Sequence, residues 1–221
     1  MKIYTSTLTN TRNDENKDSF YIGKNWFVVC DGISSTASGG RAARYVTNHC
    51  KKYEYFEEIE DFKDFMKPIN SKIRFERGGT TFTAAVLEKD GNNNKVVGIK
   101  LIHTGDSECY VINNNIITEI TYPFTLAKAR FPNLSKKELD ETRMNNVLIE
   151  YLGMDELPAF QIENFSKPEY LIICSDGANY VESDEMKNIV LSDHKNPAET
   201  IAEKSRKNGS SDDITVIVVK L

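Results

Sequence analysis

Leu171-Ile172-Ile173-Cys174-Ser175-Asp176-Gly177 is a four-residue apolar run that stops at a serine, an acid and a glycine. A run this short, rich in β-branched residues and closed by turn residues, predicts a buried strand with the acid at its end. Three other stretches place an acid beside a strand: Phe27-Val28-Val29-Cys30-Asp31-Gly32, Leu101-Ile102-His103-Thr104-Gly105-Asp106-Ser107 and Asp212-Asp213-Ile214-Thr215-Val216-Ile217. In the first the acid follows a strand, and in the last it precedes one. If the strand before Asp176 pairs antiparallel with the one after Asp212, both carboxylates emerge at one rim.

Strand signals dominate the rest of the chain. Ser19 to Ile22, Trp26 to Cys30, Thr80 to Leu87, Val96 to Ile102, Glu108 to Ile112, Ile116 to Ile120, Tyr170 to Cys174 and Ile214 to Lys220 all carry them. Residues 89–94 and Asn113-Asn114-Asn115 read as hairpin tips. Helical spacing marks Gly39 to Tyr53 behind a Ser38 cap, Ile59 to Ile73, Asp184 to Leu191, and Pro197 to Lys207, while Ser135 to Met144 reads as a polar helix or flap. The acidic run Glu57 to Asp64 reads as a solvated helix face. About eight strands joined by hairpins, with four helices, favour α+β over alternating βαβ: two antiparallel sheets face to face with helices outside them, in one domain over 1–221.

Charge and composition exclude some partners. With 28 Lys plus Arg against 33 Asp plus Glu, the net charge is −5, the wrong sign for neutralising a phosphate backbone, so no nucleic-acid partner is expected. No apolar run approaches the roughly 20 residues of a membrane helix, and MKIYTSTLTN lacks a signal-peptide pattern, so no membrane partner and a cytoplasmic location are expected. Cys30, Cys50, Cys109 and Cys174 are too scattered for paired zinc spacing and read as reduced core thiols.

Any one Asp-Gly can be only a turn. Four acids abutting strands suggest more, because carboxylates gathered at one rim repel and must hold protons unless cations lie between them. Mg²⁺ and Mn²⁺ suit such a site, since they take all-oxygen sets of carboxylates, carbonyls and waters.

Six motifs in order then resemble the type 2C, metal-dependent (PPM) serine/threonine phosphatases. They are Arg12 before Asn16-Lys17-Asp18-Ser19, Asp31-Gly32, Gly79-Thr80-Thr81, Gly105-Asp106-Ser107, Ser175-Asp176-Gly177 and Asp212-Asp213-Ile214-Thr215. The resemblance implies a four-layer α/β/β/α sandwich holding two Mg²⁺ or Mn²⁺ ions and a third, weaker one. Asp31 would bridge two ions, with the Gly32 carbonyl, Asp176 and Asp212 completing their ligands. Asp18 would act through water, Asp106 would share the third site with Asp176, and Arg12 would bind substrate phosphate. It further implies in-line attack by a metal-bridging water on phosphoserine or phosphothreonine in a protein substrate, in opposition to a serine/threonine kinase.

The chain departs from the family pattern at several points. Lys17 stands where many members carry Glu, an extra residue separates Arg12 from Asp18, Glu108 replaces a frequent Arg, Asp213 replaces Asn, and residues 33–36 supply no histidine. These leave open a catalytically inactive member that binds phosphoproteins or regulates a kinase, and a phosphatase for a small phosphorylated molecule. His103 reads as a core or edge histidine, His49 and His194 as surface or helix residues, and Trp26 and Phe27 as core.

Overall fold

The computed structural model describes residues 1–11, 15–91, 95–192 and 194–221. Among them lie ten strands: β1 Lys2–Leu8, β2 Ser19–Ile22, β3 Trp26–Cys30, β4 Phe82–Lys89, β5 Val96–Thr104, β6 Glu108–Asn113, β7 Ile116–Glu119, β8 Gln161–Ser166, β9 Tyr170–Cys174 and β10 Ile214–Lys220. Six α-helices accompany them: α1 Gly39–Cys50, α2 Phe62–Phe75, α3 Leu126–Arg130, α4 Lys136–Asp140, α5 Ser183–Leu191 and α6 Pro197–Lys207. The strands form two five-stranded antiparallel sheets, ordered β1-β10-β9-β6-β7 (sheet A) and β2-β3-β4-β5-β8 (sheet B).

Side-chain alternation along the central strands builds the layers. Trp26, Val28 and Cys30 of β3 pack with Ala43, Val46, Met66 and Ile73 of α1 and α2, whereas Phe27 and Val29 face the other sheet. In sheet A, Ile172, Cys174, Val216 and Val218 pack against α5 and α6, while Leu171, Ile173, Ile217 and Val219 turn inward. Strands buried on both faces explain why their sequences read as continuous apolar runs. The result is the four-layer α/β/β/α sandwich expected from the sequence.

Several local expectations need correction. Helix α1 stops at Cys50, and Ser38 does not cap it, since its hydroxyl donates to the Glu76 carbonyl at 2.8 Å. Helix α2 starts at Phe62, where the Asp61 side chain accepts from the Asp64 N–H. The run 57–64 is not one helix: a 3₁₀ turn covers Phe56–Glu58, and Glu57 accepts from Asn25 Nδ2 at 2.9 Å. The stretch 135–144 divides into α4, entered through a Ser135–Glu138 capping box, and a 3₁₀ turn over Arg143–Asn146. The Asn113–Asn115 tip is a hairpin turn with Asn114 and Asn115 at φ 48° and 62°. The tip proposed at 89–94 falls partly outside the described residues.

Candidate metal centre

Strand register alone carries the acids to one edge of the sandwich. In sheet A, Cys174 at the end of β9 lies opposite Val216 near the start of β10 and Glu108 at the start of β6. Asp176, Asp212 and Asp106 extend from those three strand ends. In sheet B, Cys30 at the end of β3 faces Ser19 at the start of β2, which brings Asp31 and Asp18 together, and β5 ends at Thr104 just before Gly105 and Asp106. The β5–β6 connection crosses from one sheet to the other at this rim, and Gly105 makes the turn at φ +103°.

Hydroxyl groups tie these ends together. The Asp31 N–H donates to Thr81 Oγ1 at 2.8 Å, the Asp31 carbonyl accepts from Thr80 Oγ1 and the Thr81 N–H, and Thr81 Oγ1 shares a 2.8 Å hydrogen bond with Ser107 Oγ. Gly32 is buried and forms a one-residue bridge with Thr80. Ser175 Oγ donates to Asp18 Oδ2 at 2.7 Å and accepts from the Thr215 N–H at 2.9 Å. Gly177 lets the start of β10 pass over the turn after Asp176, where a Cβ would lie 1.9 Å from the Asp213 carbonyl oxygen. Asp212, last before this crossing, is exposed.

The electrostatics are those of uncompensated acids. Burial first, then the charges of Asp18, Asp176, Asp106 and Asp212, hold the Asp31 carboxyl well above the usual carboxylate range. Asp106 is raised by burial and then by Asp176 and Glu108. Burial pushes Asp18 up to about 7 against the hydrogen bonds of Ser175 and Thr215. Burial and Asp212 push Asp176 up to about 6, opposed by a side-chain hydrogen bond with Asp31. Two buried carboxylate oxygens, Asp18 Oδ1 and Asp176 Oδ1, have no hydrogen-bond partner in the protein. Orphaned acceptors among mutually repelling acids fit hard divalent cations. Among the described residues no three carboxylate, imidazole or thiolate side chains are gathered into a ready-made cage.

Known proteins resemble this chain in sequence and fold. No family model matches the chain. It is 27% identical over 230 residues to the serine/threonine phosphatase Stp of Listeria welshimeri, a match covering 93% of this chain and 86% of that protein. The crystal structure of the serine/threonine phosphatase Stp1 from Staphylococcus aureus superposes with a TM-score of 0.86 at 21% identity, over 100% of this chain and 94% of that one. The chain resembles serine/threonine phosphatases in sequence and shares their fold. The catalytic domain of the serine/threonine protein phosphatase PstP, in complex with two manganese ions, matches with a TM-score of 0.79 at 18% identity, over 99% of this chain and 97% of that one.

The departures from the PPM pattern acquire structural meanings that sequence reading missed. Asp213 is buried: its Oδ1 accepts from the Asn10 N–H and Asn10 Nδ2 at 2.7 and 3.0 Å, and its Oδ2 from the Lys17 N–H at 2.9 Å. It therefore brackets the loop before Asp18. Lys17 Nζ donates to Ser34 Oγ at 3.2 Å, joining that loop to the one after Asp31. Glu108 is also buried and pairs with Lys136. Arg12 lies outside the described residues. His103 is fully buried, accepts from Thr83 Oγ1 at Nδ1 and donates to the Tyr122 carbonyl at Nε2, and burial lowers its pKa to about 4. It is a neutral core residue, as its place in a strand led us to expect. The signal that could have exposed Thr81 and Ser175 was present in the motifs, which place Ser175 beside Asp176 and Thr81 two residues after Gly79.

Proposed function

We propose that this chain is a metal-dependent phosphoprotein phosphatase that hydrolyses phosphoserine and phosphothreonine, with residues 1–221 acting as one catalytic unit. The observation that carries this reading is the convergence of Asp18, Asp31, Asp106, Asp176 and Asp212 on one rim, with Asp18 Oδ1 and Asp176 Oδ1 buried and unpartnered. The names of its relatives support it, as does the manganese in a structure of the same fold.

In this reading Asp31, the Gly32 carbonyl, Asp176 and Asp212 hold two ions, Asp18 acts through water, and Asp106 with Asp176 forms a weaker third site. Mg²⁺ or Mn²⁺ bound there would supply a water of lowered pKa and offset charge on the phosphoryl oxygens. The chain's own part is rigidity: Thr80 and Thr81 fix the Asp31 backbone, Ser175 orients Asp18, and Asp213 holds the segment that leads to Asp18. Arg12 would take two phosphate oxygens with its planar fork.

An opposing serine/threonine kinase and a cytoplasmic setting complete the proposal. The four buried free thiols suit a reducing compartment, and among the described residues no helix is long and apolar enough to cross a membrane.

Turnover of para-nitrophenyl phosphate and of a phosphothreonine peptide, with Mn²⁺ and with EDTA, tests the reading. Both should turn over with Mn²⁺ only. Binding of the peptide without turnover at any Mn²⁺ concentration identifies an inactive binding module instead. Turnover of small phosphate esters but not of phosphopeptides identifies a small-molecule phosphatase.

A further inference from the structure

Residues 122–149 leave the rim and return to it as a crossover containing α3 and α4. Its neck is fixed beside the Asp106 turn, where the Phe124 N–H donates to the Gly105 carbonyl at 2.8 Å and Thr125 bridges to Leu148. Beyond the neck, α4 reaches back to sheet A through Lys136. Lys136 Nζ lies 2.5 Å from Glu108 Oε1, donates to the Tyr110 hydroxyl at 2.9 Å, and sits 5.6 Å from the Tyr110 ring centroid. The Tyr110 hydroxyl donates in turn to Glu108 Oε2. Glu108 and Tyr110 are both buried, at 5% and 2% exposure.

A buried carboxylate two residues from Asp106 adds repulsion to a rim already crowded with acids, and an unpaired one there is strongly unfavourable. Glu108 stands where the family pattern often carries Arg. The reversed charge is complemented from the crossover, so the cation moves from the strand to α4. Glu119, across the strand pair from Tyr110, faces the same ammonium group. A three-membered contact of this kind specifies one docked position, because the hydroxyl, the ring face and the carboxylate must all be met together.

We propose that Lys136 is a positioning residue: its contact with Glu108 and Tyr110 docks the 122–149 crossover against the Asp106 turn and thereby shapes how a phosphoprotein approaches the metal centre. The second half of that statement rests on the phosphatase reading, and the first half does not.

The test compares Lys136→Met, Lys136→Arg and the double variant Lys136→Met/Glu108→Gln, which removes both charges. Hydrogen exchange over residues 126–146 should accelerate about tenfold in Lys136→Met and in the double variant, and return towards the wild-type rate in Lys136→Arg. The KM for a phosphopeptide should rise about tenfold in the same two variants, with kcat for para-nitrophenyl phosphate changed less than about threefold. Thermal unfolding confirms that each variant is folded, and the double variant guards against a collapse caused by the lone buried Glu108 charge. Wild-type exchange in the double variant would overturn the docking claim and leave the pair a role in charge balance only. Accelerated exchange with unchanged phosphopeptide KM would overturn the substrate claim. If the wild-type protein turns over no phosphate ester, the phosphatase reading fails and takes the substrate claim with it, while the exchange data still decide docking.

Discussion

Ser175 Oγ donates a 2.7 Å hydrogen bond to Asp18 Oδ2, joining residues 157 positions apart. The same hydroxyl accepts from the Thr215 N–H, so one serine links the loop before β2, the end of β9 and the start of β10. The other oxygen of Asp18 is buried with no protein partner, and Asp176 beside it carries a second such oxygen. The folding of the sandwich thus creates an electrostatic deficit, and the proposed ions would remove it.

Divalent ions should therefore stabilise the protein as well as activate it. Saturating Mn²⁺ is expected to raise Tm by several degrees over the EDTA-treated protein, through binding to the folded state alone. Asp31→Asn should reduce that rise. An equal Tm with and without Mn²⁺ would sink the metal-centre assignment.

The metal-free protein should lose stability as pH rises. Asp18 and Asp176 have folded-state pKa values raised from 3.8 to about 7 and about 6, so between those values and 3.8 the native state binds protons that the unfolded chain has released. Stability from this source is present below about pH 4, falls through pH 6 to 7 and is gone above that. Denaturant titrations in EDTA at pH 5 and pH 8 should show the wild type losing more stability than Asp18→Asn across that interval.

Asp31→Asn and Asp176→Asn should each lower kcat/KM at least about a hundredfold while leaving the fold intact by circular dichroism. Near-normal turnover by Asp176→Asn with Mn²⁺ present would remove it from the proposed ligands.

Arg12→Ala should act on binding. The expected result is a KM for phosphate esters raised about tenfold with a smaller change in kcat, the signature of a lost ground-state contact. An unchanged KM would detach Arg12 from the substrate phosphate.

Thr81→Ala should destabilise the protein by about 1–3 kcal/mol, because it leaves the Asp31 N–H and the Ser107 hydroxyl without their partner. Thr81→Ser keeps the hydroxyl and should recover most of that loss in urea denaturation.

Gly177→Ala should be more damaging, at about 3 kcal/mol or more, since its methyl group would meet the Asp213 carbonyl at 1.9 Å and force the start of β10 away. Expression as soluble protein with unchanged Tm would contradict the close approach at this position.

Strands β2, β3, β9 and β10 were legible to the residue because each is a short apolar, aromatic or β-branched run bounded on at least one side by Gly, Asp or Ser. In β3, β9 and β10, burial on both faces leaves that signature in the sequence itself. Strands β1, KIYTSTL, and β8, QIENFS, were not read, since each is an edge strand with no fully buried residue, whose polar residues carry little signal. The identity of the acids was equally plain from motifs that place Asp31, Asp106, Asp176 and Asp212 at strand ends. Their meeting depended on register: antiparallel pairing of β9 with β10 and of β2 with β3 brings ends together that lie far apart in the chain. The partners of Glu108 and Asp213 were also invisible beforehand. Lys136 and the N–H groups of Asn10 and Lys17 meet those carboxylates through long-range packing, and a residue's own neighbours in sequence hold no record of such a contact.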